Sequence, residues 1–249
     1  TGVYFFFDYN GETFENDNDE VPASVSFNLN YYRPHFFGLE AAPELLNLLN
    51  TFQFNILDVQ NDGMGDGPFS VEGFLKSWNA GNEFGYRSIL ENNDEDEKIF
   101  ARPTYELENN WRWNFEKKKR YNLIQKDIFI PRIFYSLLND KLVSWIVWPD
   151  AIPILIPKVD CIYILREELA PKKWFKKTND KFLIPFQMAK EFIDEYKTNQ
   201  YELEAYDLPY PETPNKIINF VSNLKATKDK TERFSEDTIL NLELVKKYS

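Results

Sequence analysis

The sequence predicts an α+β fold, with an N-terminal ββαβα-like unit, a central and mostly antiparallel β-sheet, and C-terminal helices packed on that sheet. Two observations predict this class. Apolar residues alternate with polar ones in some segments, as in half-buried strands, and recur at helical spacing in others. The chain of 249 residues is also 43% hydrophobic and 17% aromatic, which is sufficient for a packed core and too apolar for a disordered chain.

The first hundred residues switch between the two periodicities. Residues 3–8 and 25–31 are predicted as strands, residues 38–51 as a helix, and residues 52–59 as a third strand. Ser70 is a suitable N-cap for a second helix, which we expect to break at Gly81 and to resume towards Leu90. The order of these elements is ββαβα.

Strands dominate the predictions for the middle of the chain. Asn139 and Asp140 separate two apolar runs, which is typical of a hairpin turn. Pro149, Pro153 and Pro157 exclude a regular central strand and favour an extended connection or an edge. The predicted strands are residues 104–108, 111–115, 121–124, 128–138, 142–148 and 161–165. The predicted helices that follow are residues 185–197, 214–225 and 235–247.

Charge is distributed unevenly, and an acidic cluster at residues 92–97 marks the expected boundary between two domains. Residues 1–98 would form an acidic α/β unit, and residues 99–249 would form a β-rich unit with the C-terminal helices. The alternative is a single domain in which the cluster is an exposed loop. Residues 1–100 hold 18 acidic against four basic residues, a balance of −14, whereas the remainder holds 22 against 25. The acidic excess is either a solvated face that maintains solubility or a docking surface that steers a basic partner.

Cysteine and hydropathy exclude two classes of protein. Cys161 is the only cysteine, so the chain cannot form an internal disulfide, and we expect a cytoplasmic location. The longest apolar stretch, residues 142–165, is interrupted by charged residues and prolines and does not fit a transmembrane helix. The sequence predicts no membrane partner.

Common catalytic and cofactor motifs are absent from the sequence. It contains no phosphate-binding glycine loop, dinucleotide fingerprint, nucleophile elbow or Cys-x-x-Cys pair. His35 is the only histidine and lies among aromatic residues, so we expect it to serve packing or a turn. Asp150 and Asp160 lack the lysine of a metal-dependent nuclease motif and are expected to be structural. We therefore predict no catalytic residue and no cofactor, with a carboxylate-dependent hydrolase as an alternative.

One segment has part of the pattern of a calcium loop. Asp58, Asp62 and Asp66 occupy positions 1, 5 and 9 of that pattern, and Gly63 occupies position 6. Position 12 is Phe69 instead of a bidentate glutamate. We therefore expect a turn between a strand and a helix, with the three aspartates as a weak metal candidate.

A second segment interleaves aromatic and basic residues, as single-stranded nucleic acid binding requires. We predict a hairpin here, whose candidate residues are Trp111, Trp113, Lys117, Lys118, Lys119 and Arg120. The sequence pI of about 4.8 opposes this function, because it provides no overall attraction for a polyanion. The basic run could instead form salt bridges with the acidic residues 1–100 of the same chain. The sequence thus disfavours nucleic acid as the partner.

These observations favour a non-catalytic intracellular protein that presents an acidic surface to a protein partner, which we expect to be basic. An inhibitor, an immunity-type protein and an accessory subunit are the forms of this hypothesis. A nucleic-acid-associated component is the alternative from another class. The candidate partner-binding residues are Glu15, Asp17, Asp19, Glu20, Asp94, Glu95, Asp96 and Glu97.

Overall fold

The structure is a computed structural model that describes residues 5–9, 25–60, 63–92, 98–124, 127–170, 180–201, 203–225 and 231–248. Within these residues the α-helices are α1 (Phe37–Phe52), α2 (Val71–Glu91), α3 (Thr104–Phe115), α4 (Lys117–Ile124), α5 (Phe186–Ile193), α6 (Asn215–Ser222) and α7 (Leu242–Tyr248). The strands are β1 (Phe5–Tyr9), β2 (Val25–Leu29), β3 (Ile56–Leu57), β4 (Asp66–Gly67), β5 (Ala101–Arg102), β6 (Phe134–Leu138), β7 (Lys141–Pro149), β8 (Ile154–Pro157), β9 (Cys161–Arg166), β10 (Asp180–Pro185), β11 (Lys197–Thr198), β12 (Ala205–Leu208), β13 (Thr231–Phe234) and β14 (Leu240–Asn241). This mixture confirms the α+β class.

The chain divides into two compact units. Unit 1 comprises residues 1–107 and 237–249, and unit 2 comprises residues 108–236. The first change of unit therefore falls within α3, after Leu107. Unit 1 is discontinuous in sequence because the C-terminal thirteen residues belong to it.

The core of unit 1 lies between α1, α2 and the β1–β2 pair. The buried face of α1 includes Ala41, Leu45 and Leu49, and Phe74 of α2 packs against the same cluster. Strands β1 and β2 are antiparallel, and their Phe7 and Phe27 rings are 5.2 Å apart between centroids. Aromatic packing thus holds the small sheet on the helices.

Helix α2 begins as predicted but does not break at Gly81. Ser70 caps it by accepting a hydrogen bond from the backbone N–H of Gly73 at 3.1 Å. The helix continues unbroken to Glu91, so the predicted break is wrong. Gly81 serves close packing instead, because a Cβ there would come within 2.4 Å of the Tyr31 ring.

The C-terminal segment of unit 1 is not the single helix that was predicted for residues 235–247. It forms a short 3₁₀ turn (Glu236–Thr238), then β14, then α7. Strand β14 pairs in parallel with β5, where Leu240 lies opposite Ala101 and Asn241 opposite Arg102. Burial of Leu240 and Asn241 outweighs the local helical spacing.

Unit 2 contains a five-stranded sheet with the order β10-β9-β7-β6-β13 and a three-stranded sheet with the order β11-β12-β8. Only the β7–β9 pair among these strand pairs is parallel, which agrees with the predicted mostly antiparallel sheet. Asn139 and Asp140 form the β6–β7 hairpin turn with φ values of 49° and 62°, as the sequence predicts. Strand β8 is an edge strand and lies within the proline-rich stretch.

Helices α3 and α4 replace three predicted strands, over residues 104–108, 111–115 and 121–124. The aromatic alternation at residues 111–115 is also compatible with a helix. Trp111 and Phe115 are four residues apart and stack on one another, with centroids 5.0 Å apart. Trp113 lies elsewhere on the helix and is fully buried. The predicted hairpin is therefore wrong.

Candidate partner-binding surface

The acidic excess of the chain belongs to unit 1. Its two sequence segments hold 21 acidic and seven basic residues, a formal balance of −14. Unit 2 holds 19 acidic and 22 basic residues, a balance of +3. The C-terminal segment adds two acidic and two basic residues, so its inclusion leaves the charge of unit 1 unchanged.

The charge of unit 1 is entirely acidic between residues 34 and 75. This stretch contains six acidic residues and neither lysine nor arginine. Asp66 of β4 and Glu72 of α2 are exposed, and no ion pair is formed by either within the described part of the chain. Carboxylates in this setting create a local negative potential that a basic ligand would neutralise.

Exposed apolar side chains occur among these acids. We define the acidic–apolar surface by five exposed apolar residues and the two unpaired acids, at the C-terminal end of α1, in the β3–β4 pair and at the start of α2. Its residues are Phe52, Phe54, Leu57, Val59, Asp66, Val71 and Glu72.

Local geometry explains why these apolar side chains are exposed. Helix α1 ends at Phe52, and the residue that caps it, Gln53, adopts a left-handed φ of 56°. Phe52 and Phe54 on either side of it stack on one another, with centroids 5.5 Å apart. In β3, Ile56 packs on the core of unit 1, so Leu57 points to the opposite side and is 50% exposed.

Acidic and apolar side chains are interleaved on this surface. Leu57 lies directly opposite Asp66 in the antiparallel β3–β4 pair, and Val71 and Glu72 are consecutive at the start of α2. Val59 is 84% exposed, the highest value among the large exposed hydrophobic residues of the described chain. Apolar groups surrounded by like charges are typical of a surface that binds a partner of opposite charge.

The predicted metal candidate is a turn in the structure. Asp58 accepts a hydrogen bond from the Ser77 hydroxyl at 2.6 Å and another from the backbone N–H of Gln60 at 3.2 Å. Asp66 is an exposed residue of β4, and Asp62 lies outside the described residues. No group of three or more His, Cys, Asp or Glu side chains able to hold a metal ion occurs among the residues that the structure describes.

The acids predicted to bind a partner all lie outside the described residues. These are Glu15, Asp17, Asp19 and Glu20 in the first cluster, and Asp94, Glu95, Asp96 and Glu97 in the second. The clusters belong to unit 1 by sequence. The acidic–apolar surface was not predicted as a site, because residues 52–59 were assigned to one alternating strand, whereas the structure ends α1 at Phe52 and has a strand only at Ile56–Leu57.

The residues predicted to bind nucleic acid do not form one surface. Trp113 is fully buried and donates a hydrogen bond to the carbonyl of Pro131, and Arg120 is buried with its guanidinium over the Trp113 ring. Lys117 is half-buried near two aromatic rings, and burial lowers its pKa. Lys118 and Lys119 are exposed on α4.

The remaining predicted residue, Trp111, stacks on Phe115. The ion pairs of the basic run that the structure describes are local, because Lys119 and Arg120 both approach Glu116. Burial of Trp113 and Arg120 thus removes one aromatic and one basic group from the set that the nucleic-acid hypothesis placed together.

Asp150 and Asp160 are occupied by structural hydrogen bonds, as predicted. Asp150 accepts three backbone N–H bonds, from residues 167, 168 and 169, at 2.8 to 3.2 Å. Asp160 accepts bonds from the backbone N–H and the hydroxyl of Ser144, at 2.7 and 3.0 Å. Each carboxylate thus organises a turn or a strand end.

His35 belongs to a polar network that joins the two sequence segments of unit 1. Its Nδ1 lies 3.1 Å from Oδ1 of Asn241, which also accepts a hydrogen bond from the hydroxyl of Tyr86 at 3.0 Å. Asn241 donates to the Thr104 hydroxyl, which in turn donates to Glu243 at 2.6 Å. Burial raises the pKa of Tyr86, and the Thr104 hydrogen bond lowers the pKa of Glu243.

No protein family, curated protein or solved structure matches this chain. In the described part of the chain, no helix has both the length and the apolar character needed to span a membrane.

Proposed function

We propose that this chain is a non-catalytic protein-binding protein whose unit 1 binds a basic protein through the acidic–apolar surface. It would act by covering or scaffolding its partner, as an inhibitor, an immunity-type protein or an accessory subunit does. Cys161, the single cysteine of the sequence, is buried, which is compatible with the reducing cytoplasm that we expect as its location.

The observation that carries the proposal is the coincidence of charge and exposed apolar area in one unit. A net charge of −14 draws a basic partner over long range and raises the association rate. The stacked Phe52 and Phe54, and the exposed Leu57 and Val59 that follow them in the chain, supply the apolar contact that retains the bound partner.

The test is affinity capture with the full chain at 50 and 300 mM NaCl, followed by mass spectrometry and titration of the purified captured protein. We expect one stoichiometric basic protein that is released at the higher salt concentration. The double substitution Asp66→Lys/Glu72→Lys should abolish its capture, because it reverses the charge beside Leu57 and Val71.

A matched control makes the same change of charge on the other unit. Glu167 and Glu168 are exposed in unit 2, so Glu167→Lys/Glu168→Lys should leave capture unchanged. Equal loss of capture with both double variants would show a dependence on total charge alone. Salt-insensitive capture that survives Asp66→Lys/Glu72→Lys would overturn the proposal.

A further inference from the structure

The five-stranded sheet of unit 2 has one face that lies outside the large core cluster of that unit. Side chains alternate between the faces along each strand. Ile146, Trp148, Ile162, Ile164 and Phe182 lie on one face and are all part of the buried core of unit 2. The register places the alternate residues on the opposite face, which we call the outer face. None of them belongs to that cluster, although Cys161 and Leu183 among them are buried.

An aromatic ladder crosses the outer face. Phe134 of β6 stacks on Trp145 of β7 with centroids 4.9 Å apart, and Trp145 lies 5.5 Å from Tyr163 of β9. Trp145 is fixed by a hydrogen bond from its Nε1 to the Ser136 hydroxyl at 2.9 Å. Phe134 is 41% exposed, so the ladder ends on a ring that is open to solvent.

Basic residues flank the ladder on the two edge strands. Lys181 of β10 is exposed, and its Nζ lies 5.9 Å from the centroid of the Tyr163 ring. Arg233 of β13, on the opposite edge, is also exposed, and its partner in the register is Ser136. Four strand spacings separate these edges, about 19 Å.

The outer face carries no acidic side chain. Lys141, at the start of β7, is the third basic residue on it. None of the residues that the register places on this face in the five strands is Asp or Glu. The face is therefore apolar and aromatic in its centre and positively charged at its edges, which is the opposite charge to the acidic–apolar surface.

We propose that the outer face binds single-stranded nucleic acid. Unpaired bases offer flat apolar rings that can pack on the exposed Phe134 and the half-buried Trp145 beside it, and the phosphates supply the negative charge that Lys181 and Arg233 can neutralise. A duplex hides the faces of its bases in the helical stack, so single strands are the expected ligand. This inference concerns unit 2 and does not depend on the partner proposed for unit 1.

The acidity of the whole chain does not remove this attraction. The negative balance belongs to unit 1, whereas unit 2 has a balance of +3. Repulsion from charges that lie more than about 8 Å away is largely screened at physiological salt. The interaction is short-ranged, and we expect it to weaken steeply as salt is added, because binding releases counterions from the phosphates.

The test measures binding of a fluorescently labelled 12-nucleotide single strand to the full chain by fluorescence anisotropy at 50 mM NaCl. The duplex of the same sequence is measured in a separate, parallel titration. We expect the single strand to bind at least tenfold more tightly than the duplex. Lys181→Glu/Arg233→Glu should weaken binding at least tenfold, and Phe134→Ala should weaken it about 5- to 100-fold through lost stacking.

Two control variants test whether the strand binds at the outer face itself. Lys118→Glu/Lys119→Glu makes the same change of charge on the exposed side of α4 and should alter binding less than twofold. Trp145→Phe should retain binding but lose the quenching of tryptophan emission by the strand. Absence of binding, equal affinity for the duplex, or equal competition by polyglutamate would each overturn the proposal, the last by showing a site for any polyanion.

Discussion

Arg166 shows how unit 2 accommodates a buried charge. The side chain is 2% exposed, and its guanidinium makes a bidentate pair with Asp180, with both N···O distances at 2.7 Å. Nη1 donates to the carbonyls of Val221 and Ser222 at the end of α6, and the guanidinium stacks on Phe182 at 4.2 Å. One residue therefore pairs a carboxylate and satisfies two terminal helix carbonyls.

Arg166→Ala should reduce the free energy of unfolding by about 3–5 kcal/mol. It removes these contacts and takes one donor from each of the two α6 carbonyls. Urea denaturation monitored by tryptophan fluorescence would measure the change. Arg87→Ala, which disrupts an exposed pair with Glu91 and an exposed cation–π contact with Phe84, should cost at most about 1 kcal/mol. Similar costs for the two variants would contradict this role for Arg166.

At the level of elements, turn and cap signals were predicted well, whereas segments with ambiguous periodicity were not. The β6–β7 hairpin and the Ser70 cap were correct because residue type and conformation agree locally at both. Three aromatic residues in five positions were insufficient to distinguish strand from helix at α3. The choice of helix depends on contacts with residues outside the segment, such as the hydrogen bond from Trp113 to the carbonyl of Pro131. The periodicity of the segment carries no information about these contacts.

Helix α2 provides a test in which intrinsic propensity and packing predict opposite signs. Alanine is favoured over glycine inside a helix by about 1 kcal/mol. A Cβ at position 81 would nevertheless come within 2.4 Å of Tyr31. We expect Gly81→Ala to lower the free energy of unfolding by about 1–3 kcal/mol, as measured by urea denaturation. Asn79→Ala, at an exposed position of the same helix, is the control and should be neutral or slightly stabilising. Stabilisation by both substitutions would contradict the prediction, because it would show that the Tyr31 ring can move to accommodate the added methyl group.

The contact between α3 and α7 should make stability depend on pH. Glu243 accepts hydrogen bonds from the hydroxyl and the backbone N–H of Thr104, and the hydroxyl bond lowers its pKa below the ordinary value of 4.5. A carboxyl whose pKa is lowered by folding stabilises the fold above its unfolded pKa and loses that contribution as pH falls through its folded pKa.

Glu243→Gln should therefore cost up to about 1 kcal/mol at pH 7, and the difference from wild type should shrink below about pH 4.5. Urea denaturation at pH 7, 4.5 and 3 would measure it. Glu44→Gln, at an exposed position of α1, serves as the control and should show no such trend. A difference that persists unchanged at pH 3 would mean that ionisation of Glu243 is not the cause.

For the molecule as a whole, the charge asymmetry was predictable and the surfaces were not. Counting residues is sufficient to locate the acidic excess, because it coincides with unit 1. The exposure of Leu57 and Val59 depends on where α1 ends, and the outer face of the unit 2 sheet depends on strand register. Strand register depends on pairing between segments that are distant in the sequence. That pairing is established only when the whole chain has folded.

The proposed function requires that unit 1 binds a basic protein through the acidic–apolar surface. The most direct measurement is calorimetric titration of the captured protein into wild type, Leu57→Ala and Asp66→Lys/Glu72→Lys, at 50 and 300 mM NaCl. We expect the affinity of wild type to fall at least tenfold between the two salt concentrations, and both variants to bind at least tenfold more weakly than wild type at 50 mM. Affinities that are independent of salt and equal for all three proteins would contradict the claim.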